Sequence, residues 1–450
     1  MPRLSGDKQF YRKMVIIGIP VVFQNLISIG LNLIDTLMIG MLGEQQLAAV
    51  GAANQVYFIF TVSLFGLFSG AAVYTAQYWG AQDLDGVRKV LGIDYLVGLS
   101  FAVVVSILAY ALAPQIIGLF SEDDAVIQYG VNYIRIACFS YIFSSISGAI
   151  SYNSRAIQNL MVPTIINAVA LSINAVLNYL LIFGKAGLPQ MGVEGAAVAT
   201  LIARVFEFLA LVGYVYTRKE HPLKVRPDKL LQFGKELFKK VMKTAMPVVL
   251  TEGGWSLSVA LIFAAYGMLG TSALAVAQVA NVVSEMLQSV YFGVGNASAM
   301  LIGEMLGQKN KEKAFQSGKQ AVRIVWILNA IITVVMILIS VPVSGIYNFS
   351  GETNRLLIIT LITMAVLLTP KMLGYIYIVG ILRAGGDTVF CMKVETICNL
   401  CVQAPLAYIA VLLFHLPLPL AMAMVQLGDL VRIFVCRRRF NSKKWINIVT

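Results

Sequence analysis

Asp35 is the only carboxylate in residues 14–43, an apolar stretch reading MVIIGIPVVFQNLISIGLNLIDTLMIGMLG. A charge at mid-bilayer depth costs about 2.5–3.5 kcal/mol even on a lenient insertion scale, so a polar partner or a water-filled cavity must compensate it. Two roles fit such a residue. It is a buried acid satisfied by neighbouring hydroxyls and amides, with a structural task only, or it is a carboxyl that takes up and gives back a cation. Desolvation favours the neutral form of any carboxylic acid, which makes reversible protonation accessible near physiological pH. Pro20, fifteen residues earlier, removes one backbone hydrogen bond and predicts a bend, either a passive kink or a hinge.

Three more ionisable residues fall inside apolar runs: Glu252, five residues after Pro247; Lys371, directly after Pro370; and Glu395. An ammonium in an apolar span needs an anion or loses its proton. Glu252 is the first expected partner of Lys371 and Glu395 the second, either as a lock between helices or as a second polar site. Gln24, Asn25, Asn54 and Asn281 are amides within spans; they line a polar interior or act as glue between helices.

Other chemistries find no support. Cys398 and Cys401 form a CxxC inside an apolar run with no second pair, which reads as packing. His221 and His415 make no metal-ligand spacing, and no GxxxxGK[ST] loop is present for ATP-driven work. No clustered His/Asp or Ser/His/Asp set suggests an enzyme, and no cofactor or metal is expected.

The elements that carry these residues follow from composition. The chain is 58% hydrophobic and 12% charged, with a mean hydropathy of +0.80, against about 25% charged residues in soluble domains. It is therefore expected to be an all-α integral membrane protein, since the apolar runs are near 20 residues and lack the alternation of barrel strands. Twelve spans are predicted, at about 14–40, 46–79, 90–119, 126–154, 163–184, 193–216, 244–269, 273–306, 320–347, 354–382, 388–413 and 417–436. The first is expected to be kept as a span, because no cleavage site follows a short apolar core.

Net charge is +12, but the basic residues sit in short loops beside spans, which argues for orientation signals and against nucleic-acid binding. Arg88, Lys89, Arg155, Lys309, Lys311, Lys313 and Arg437 to Arg439 alternate with turns poor in Lys and Arg, such as those at Gly40, Ser121, Gly184, Asn348 and His415. Both termini and the nine basic residues of a connector at 217–243 are thus expected in the cytoplasm. That connector is expected to tolerate substitution.

The chain also repeats itself. Pro247-Val248-Val249 copies Pro20-Val21-Val22, and Gly267-Met268-Leu269-Gly270 copies Gly40-Met41-Leu42-Gly43. At the same spacing Leu274-Ala275 matches Leu47-Ala48, Asn281 matches Asn54, Gly293 matches Gly66 and Gly307 matches Gly80; one residue later in phase, Arg383-Ala384 matches Arg155-Ala156. Two six-helix lobes are expected, at 1–216 and 244–450, joined by the connector. An even helix count per lobe places the pseudo-two-fold axis along the membrane normal, with binding near the midplane between the repeats.

At this point the chain resembles the multidrug and toxic compound extrusion (MATE) family. The resemblance rests on Pro20 with Asp35, on Gly40-Met-Leu-Gly-x3-Leu-Ala-Ala-Val-Gly, and on Arg155 with Pro163. Asn174-Ala-Val-Leu-Asn178-Tyr, Gly192-Val-Glu-Gly-Ala-Ala and Leu382-Arg-Ala-Gly-Gly-Asp387-Thr add to it. It implies two lobes forming a V with a central cleft. It also implies a secondary-active antiporter of the cell (inner) membrane, which exports bulky amphipathic or cationic small molecules in exchange for H+ or Na+. A monomer in the lipid bilayer is expected. By the same resemblance Asp35 belongs to a cation site with Asn174, Asn178 and Thr200, and Pro20 to a helix that bends in some relatives. Asn178 stands where several relatives have a second Asp, which points to H+ and leaves Na+ at Asp35 as the alternative. Lys371 stands where relatives with a C-lobe site have an acid. A lipid-linked oligosaccharide flippase of the same superfamily is the alternative function; it would favour several cleft arginines, for which Arg135 and Arg204 are candidates.

Overall fold

The computed structural model describes residues 8–346 and 349–449. Residues 1–7, with Arg3, and Tyr347, Asn348 of the expected turn and Thr450 lie outside the described residues. Among those described, all regular structure is helical. The long helices are α1 (Lys8–Gly40), α2 (Glu44–Gly80) and α3 (Leu84–Ala111), followed by the short α4 (Ala113–Gly118). Next come α5 (Asp124–Ala137), α6 (Phe139–Ala156), α7 (Met161–Phe183) and α8 (Gly192–Thr217). The second half holds α9 (Lys235–Gly267), α10 (Thr271–Gly307), α11 (Lys311–Ser344), α12 (Gly351–Leu382), α13 (Thr388–Leu413) and α14 (Leu418–Asn441). Eleven of these are long and apolar enough to cross a membrane, and α5 with α6 makes a twelfth, broken span.

That break corrects the single helix expected at 126–154. α5 and α6 meet at 45° at Cys138. Two hydroxyls explain it: Ser106 Oγ of α3 donates to the Cys138 carbonyl at 2.8 Å and Ser140 Oγ donates to the Ala137 carbonyl at 2.6 Å. Side chains that capture carbonyls in this way open the i→i−4 ladder. In the second half, wider i→i+5 turns occupy Ile376–Leu382, Ile397–Gln403 and Ile409–Leu413. Pro405 lacks an N–H and removes one rung from α13, next to the second of these segments.

The repeat is visible in the backbone. Gly43 and Gly270 both hold positive φ (140° and 104°), a region L side chains avoid, where the lead helix turns into the second. Gln82 and Lys309 share a left-handed φ of 61° at the next turn, and each is followed by a residue, Asp83 or Asn310, whose side chain caps the following helix. Gln158 with Gly386 and Ala186 with His415 continue the series, the offset growing by one residue each time.

By packing, the chain divides into two compact units: Phe23–Ala245, and Met1–Val22 with Met246–Thr450. Both boundaries fall inside the lead helices, just after Pro20 and just before Pro247. In the second unit the start of α1 lies on α10: Lys13 Nζ meets Glu304 at 3.2 Å, and Gly18 and Gly293 let the two backbones approach. In the first unit Phe60 stacks on Tyr141 at 4.9 Å between α2 and α6, and Gly98 and Gly148 leave room for the Phe68 ring.

The connector is more ordered than expected. His221, Leu223 and Val225 are buried, Arg88 Nε donates to the Pro222 carbonyl at 3.1 Å, and Tyr216 Oη donates to the Val225 carbonyl at 2.9 Å. Its basic residues hide three apolar-facing anchors, so tolerance of substitution does not extend to 221–225.

Candidate functional site

α1, α7 and α8 place the expected polar residues of the first half together. Asn178 Nδ2 donates to Asp35 Oδ1 at 2.8 Å. One turn back, Asn174 serves both sides in the amide orientation that satisfies it: Nδ2 donates to Asp35 Oδ2 at 2.9 Å and its oxygen accepts from Thr200 Oγ1 at 3.3 Å. Asn174 and Asn178 share a face of α7 because they are four residues apart. Among the described residues Asp35 makes no ion pair. Its carboxyl is held entirely by neutral groups, an arrangement that suits a change of charge on the acid. Asn54 accepts from Tyr133 Oη at 3.4 Å.

The polar face runs on down the same three helices. Arg204, one turn after Thr200, pairs with Glu207 at 2.7 Å, and Glu207 also accepts from Asn167 Nδ2 at 2.8 Å. Gln24 Nε2 donates to Asn167 Oδ1 at 3.3 Å, while its oxygen accepts from Arg155 Nη2 at 2.7 Å. The offset from α1 to α7 is 143 residues at both ends of this ladder, from Asp35 to Asn178 and from Gln24 to Asn167, as two parallel helices in register require. At 1.5 Å per residue the ladder extends about 16 Å along α1. A cavity of about 210 Å³ opens on its Glu207 end, lined there by Gln24, Ser147, Arg155, Asn167, Arg204 and Glu207. Asn25 is half-buried and makes no side-chain hydrogen bond among the described residues; Pro20 lies inside α1.

The second half is built differently. Glu252 meets Arg383 Nη2 at 2.9 Å, with the guanidinium 3% exposed and the carboxylate 14%. This corrects the expected Glu252–Lys371 pair. Lys371 lies twelve residues before Arg383, which follows α12, so the two stand at different levels and Glu252 meets the lower one. Among the described residues Lys371 and Glu395 form no ion pair or side-chain hydrogen bond. Asn281 donates to Glu285 on its own helix at 2.8 Å. Arg432 pairs with Asp429 at 2.7 Å and with the Asn399 side chain.

Glu207, Asn167, Arg432 and Asp429 escaped the sequence reading, as did Asp94, a fully buried acid of α3 held by Asn153 Nδ2 at 2.6 Å. Glu207 and Asp94 carry the signal that exposed Asp35, a lone acid in an apolar run.

With this geometry in view, comparison with known proteins is decisive. A family model described as MatE matches residues 20–180 and 247–409, beginning at each of the two prolines. The chain belongs to the MATE family. It is 25% identical over 406 residues to the probable multidrug resistance protein YoeA of Bacillus subtilis, covering 89% of this chain and 86% of that one. It is 30% identical over 314 residues to the probable multidrug resistance protein NorM of Agrobacterium fabrum, covering 66% and 64%. Its fold matches that of a solved multidrug resistance MATE transporter of the MOP superfamily in an outward-facing conformation, with a TM-score of 0.88 at 20% identity over 96% of both chains. This MATE protein is thus a multi-pass membrane transporter, not an enzyme, whose family works on small molecules without a cofactor. The relatives do not favour the flippase alternative.

Proposed function

We propose that the protein is a proton-coupled antiporter that exports bulky, amphipathic or cationic small molecules, with Asp35 as the coupling acid. The observation that carries this reading is the set of neutral partners around Asp35. Asn174 and Asn178 donate to its two oxygens, and no Lys or Arg pairs with it among the described residues. Such a carboxyl can be protonated without stranding a cation, whereas an ion-paired acid cannot. Asn178 in place of a second acid leaves a single carboxylate here, which favours H+ over Na+. Arg204, offered as a mark of a flippase, is neutralised by Glu207. The charge pattern of the loops supports cytoplasmic termini and connector.

The test is transport of an organic cation in liposomes holding the purified full chain. An imposed proton gradient should drive it and a sodium gradient at equal pH should not. Sodium-driven transport without a proton gradient would overturn the proton reading.

A further inference from the structure

The lower half of the polar ladder has no task in the scheme above. Glu207 lies seven residues beyond Thr200 on α8, about 10 Å nearer the connector end, and it is almost fully buried. Arg204 stands between the two acids. Its guanidinium is bonded to Glu207 at 2.7 Å, and it lies one helical turn from Thr200, whose hydroxyl meets the Asn174 that holds Asp35. Two carboxyls and one guanidinium therefore share one polar face. Only one of the acids can have the guanidinium as partner at a time, and a buried acid without a cation is cheapest when protonated.

We propose that Glu207 is the inner proton acceptor of the transport cycle and that Arg204 switches between Glu207 and Asp35 as the proton passes. In the first state Arg204 neutralises Glu207 and Asp35 carries the proton, its O–H donated to the Asn174 oxygen in the alternative amide orientation, in which Asn174 Nδ2 donates to Thr200 Oγ1 at 3.3 Å. In the second state the O–H bond on Asp35 breaks and one on a Glu207 oxygen forms. The guanidinium moves the opposite way to neutralise the Asp35 carboxylate, so net charge within the lobe is unchanged. The cavity of about 210 Å³ beside Glu207 supplies the medium for transfer, since a water molecule occupies about 30 Å³ of liquid. Ser144 and Ser147 line its wall, and their buried hydroxyls have no hydrogen-bond partner among the described residues. Around the two acids, Tyr133 of α5 lies near Asp35, and Tyr57 of α2 and Arg155 of α6 share the cavity wall with Glu207; α7 contributes amides.

This relay rests on the coupling role of Asp35, and the test separates the two. The full chain in liposomes is assayed in two modes with an organic cation that the wild type carries: exchange at equal pH on both sides, which needs no net proton release, and transport driven by a pH gradient. Glu207→Gln should keep exchange and lose about 100-fold of gradient-driven transport, the lower range for removal of a proton-transferring group. Glu207→Asp should restore part of it. Should Glu207→Gln fold poorly, Arg204→Gln with Glu207→Gln removes the pair together and should show the same split. A folded Glu207→Gln protein that is driven normally, or that loses both modes equally, overturns the relay. Wild-type gradient-driven transport by Asp35→Asn would instead overturn the role of Asp35, and the relay with it.

Discussion

α1 and α9 begin alike, each with Pro-Val-Val, and then place their acid at different depths. At the repeat spacing Asp35 corresponds to Ile262, and Glu252 corresponds to Asn25. One residue later in phase, the polar contact is nevertheless kept in both halves: Arg155 takes the neutral Gln24, and Arg383 takes the carboxylate of Glu252, each across 131 residues. The first half thus spends an amide on its arginine and leaves its acid among neutral donors three turns away. The second half spends its acid on the arginine. An acid bonded to a buried guanidinium that stays in place remains charged, because neutralising it would strand the partner, while an acid bonded to amides is free to change charge. On the proposed reading, the duplication has separated a lock from a site that titrates.

The largest effect should come from removing the acid that titrates. Asp35→Asn should bring gradient-driven transport down about 100-fold, to the level of vesicles lacking protein, with normal folding. Drug resistance at wild-type level in cells carrying Asp35→Asn would erase the contrast between the halves. Glu252→Gln should act on stability instead. Stranding Arg383 costs about 3–5 kcal/mol, seen as a lower midpoint of thermal unfolding in detergent, and Arg383→Met added to it should recover part of the loss. Strictly additive damage would mean the two groups are not coupled.

A smaller change would make the first half resemble the second. Gln24→Glu gives Arg155 a carboxylate but takes the Nε2 donor from Asn167 Oδ1, so stability should change by less than about 1 kcal/mol. Proton coupling at Asp35 should persist. If it disappears, a carboxylate at position 24 competes with Asp35 and Glu207 for the proton.

The smallest effect concerns the connector. His221 Nδ1 accepts the Leu223 N–H at 3.2 Å, and its ring packs edge-on against Tyr214. Burial, and then the nearby Arg218, hold its affinity for a proton below the ordinary value of 6.5. The folded connector therefore binds fewer protons than the unfolded one just below pH 6.5, so docking is at full strength above that pH and weakens as pH falls through it. Proteolysis of the connector should quicken on acidification from pH 7 toward pH 5.5, and His221→Phe should flatten the profile. An equally steep profile in that variant would assign the effect elsewhere.

Much of the fold was legible because bilayer physics leaves few choices. Apolar runs of the right length had to be helices, and the Gly43 and Gly270 turns marked the repeat. Asp35 stood out for the same reason. The contacts between helices were harder, because sequence gives the order of residues along a span but not which level of the neighbour each one meets. Charge and the repeat, which puts Glu252 in the neighbouring lead helix, point to Lys371 but carry no depth. Counting depth from the shared loop end would have favoured Arg383, since Glu252 and Arg383 both lie within a few turns of that end. The break at Cys138 depends on hydroxyls from another helix and on the neighbouring Ser140, which no periodicity reveals. Glu207 needed only the rule already applied to Asp35.

The most direct measurement is proton release on drug binding by the purified full chain in weakly buffered detergent solution. An antiporter in which drug and proton compete through Asp35 should release protons as drug is added. Glu252→Gln should still do so, and Asp35→Asn should release none. Release that survives in Asp35→Asn, or that vanishes in well-folded Glu252→Gln, would place the titrating acid in the wrong half.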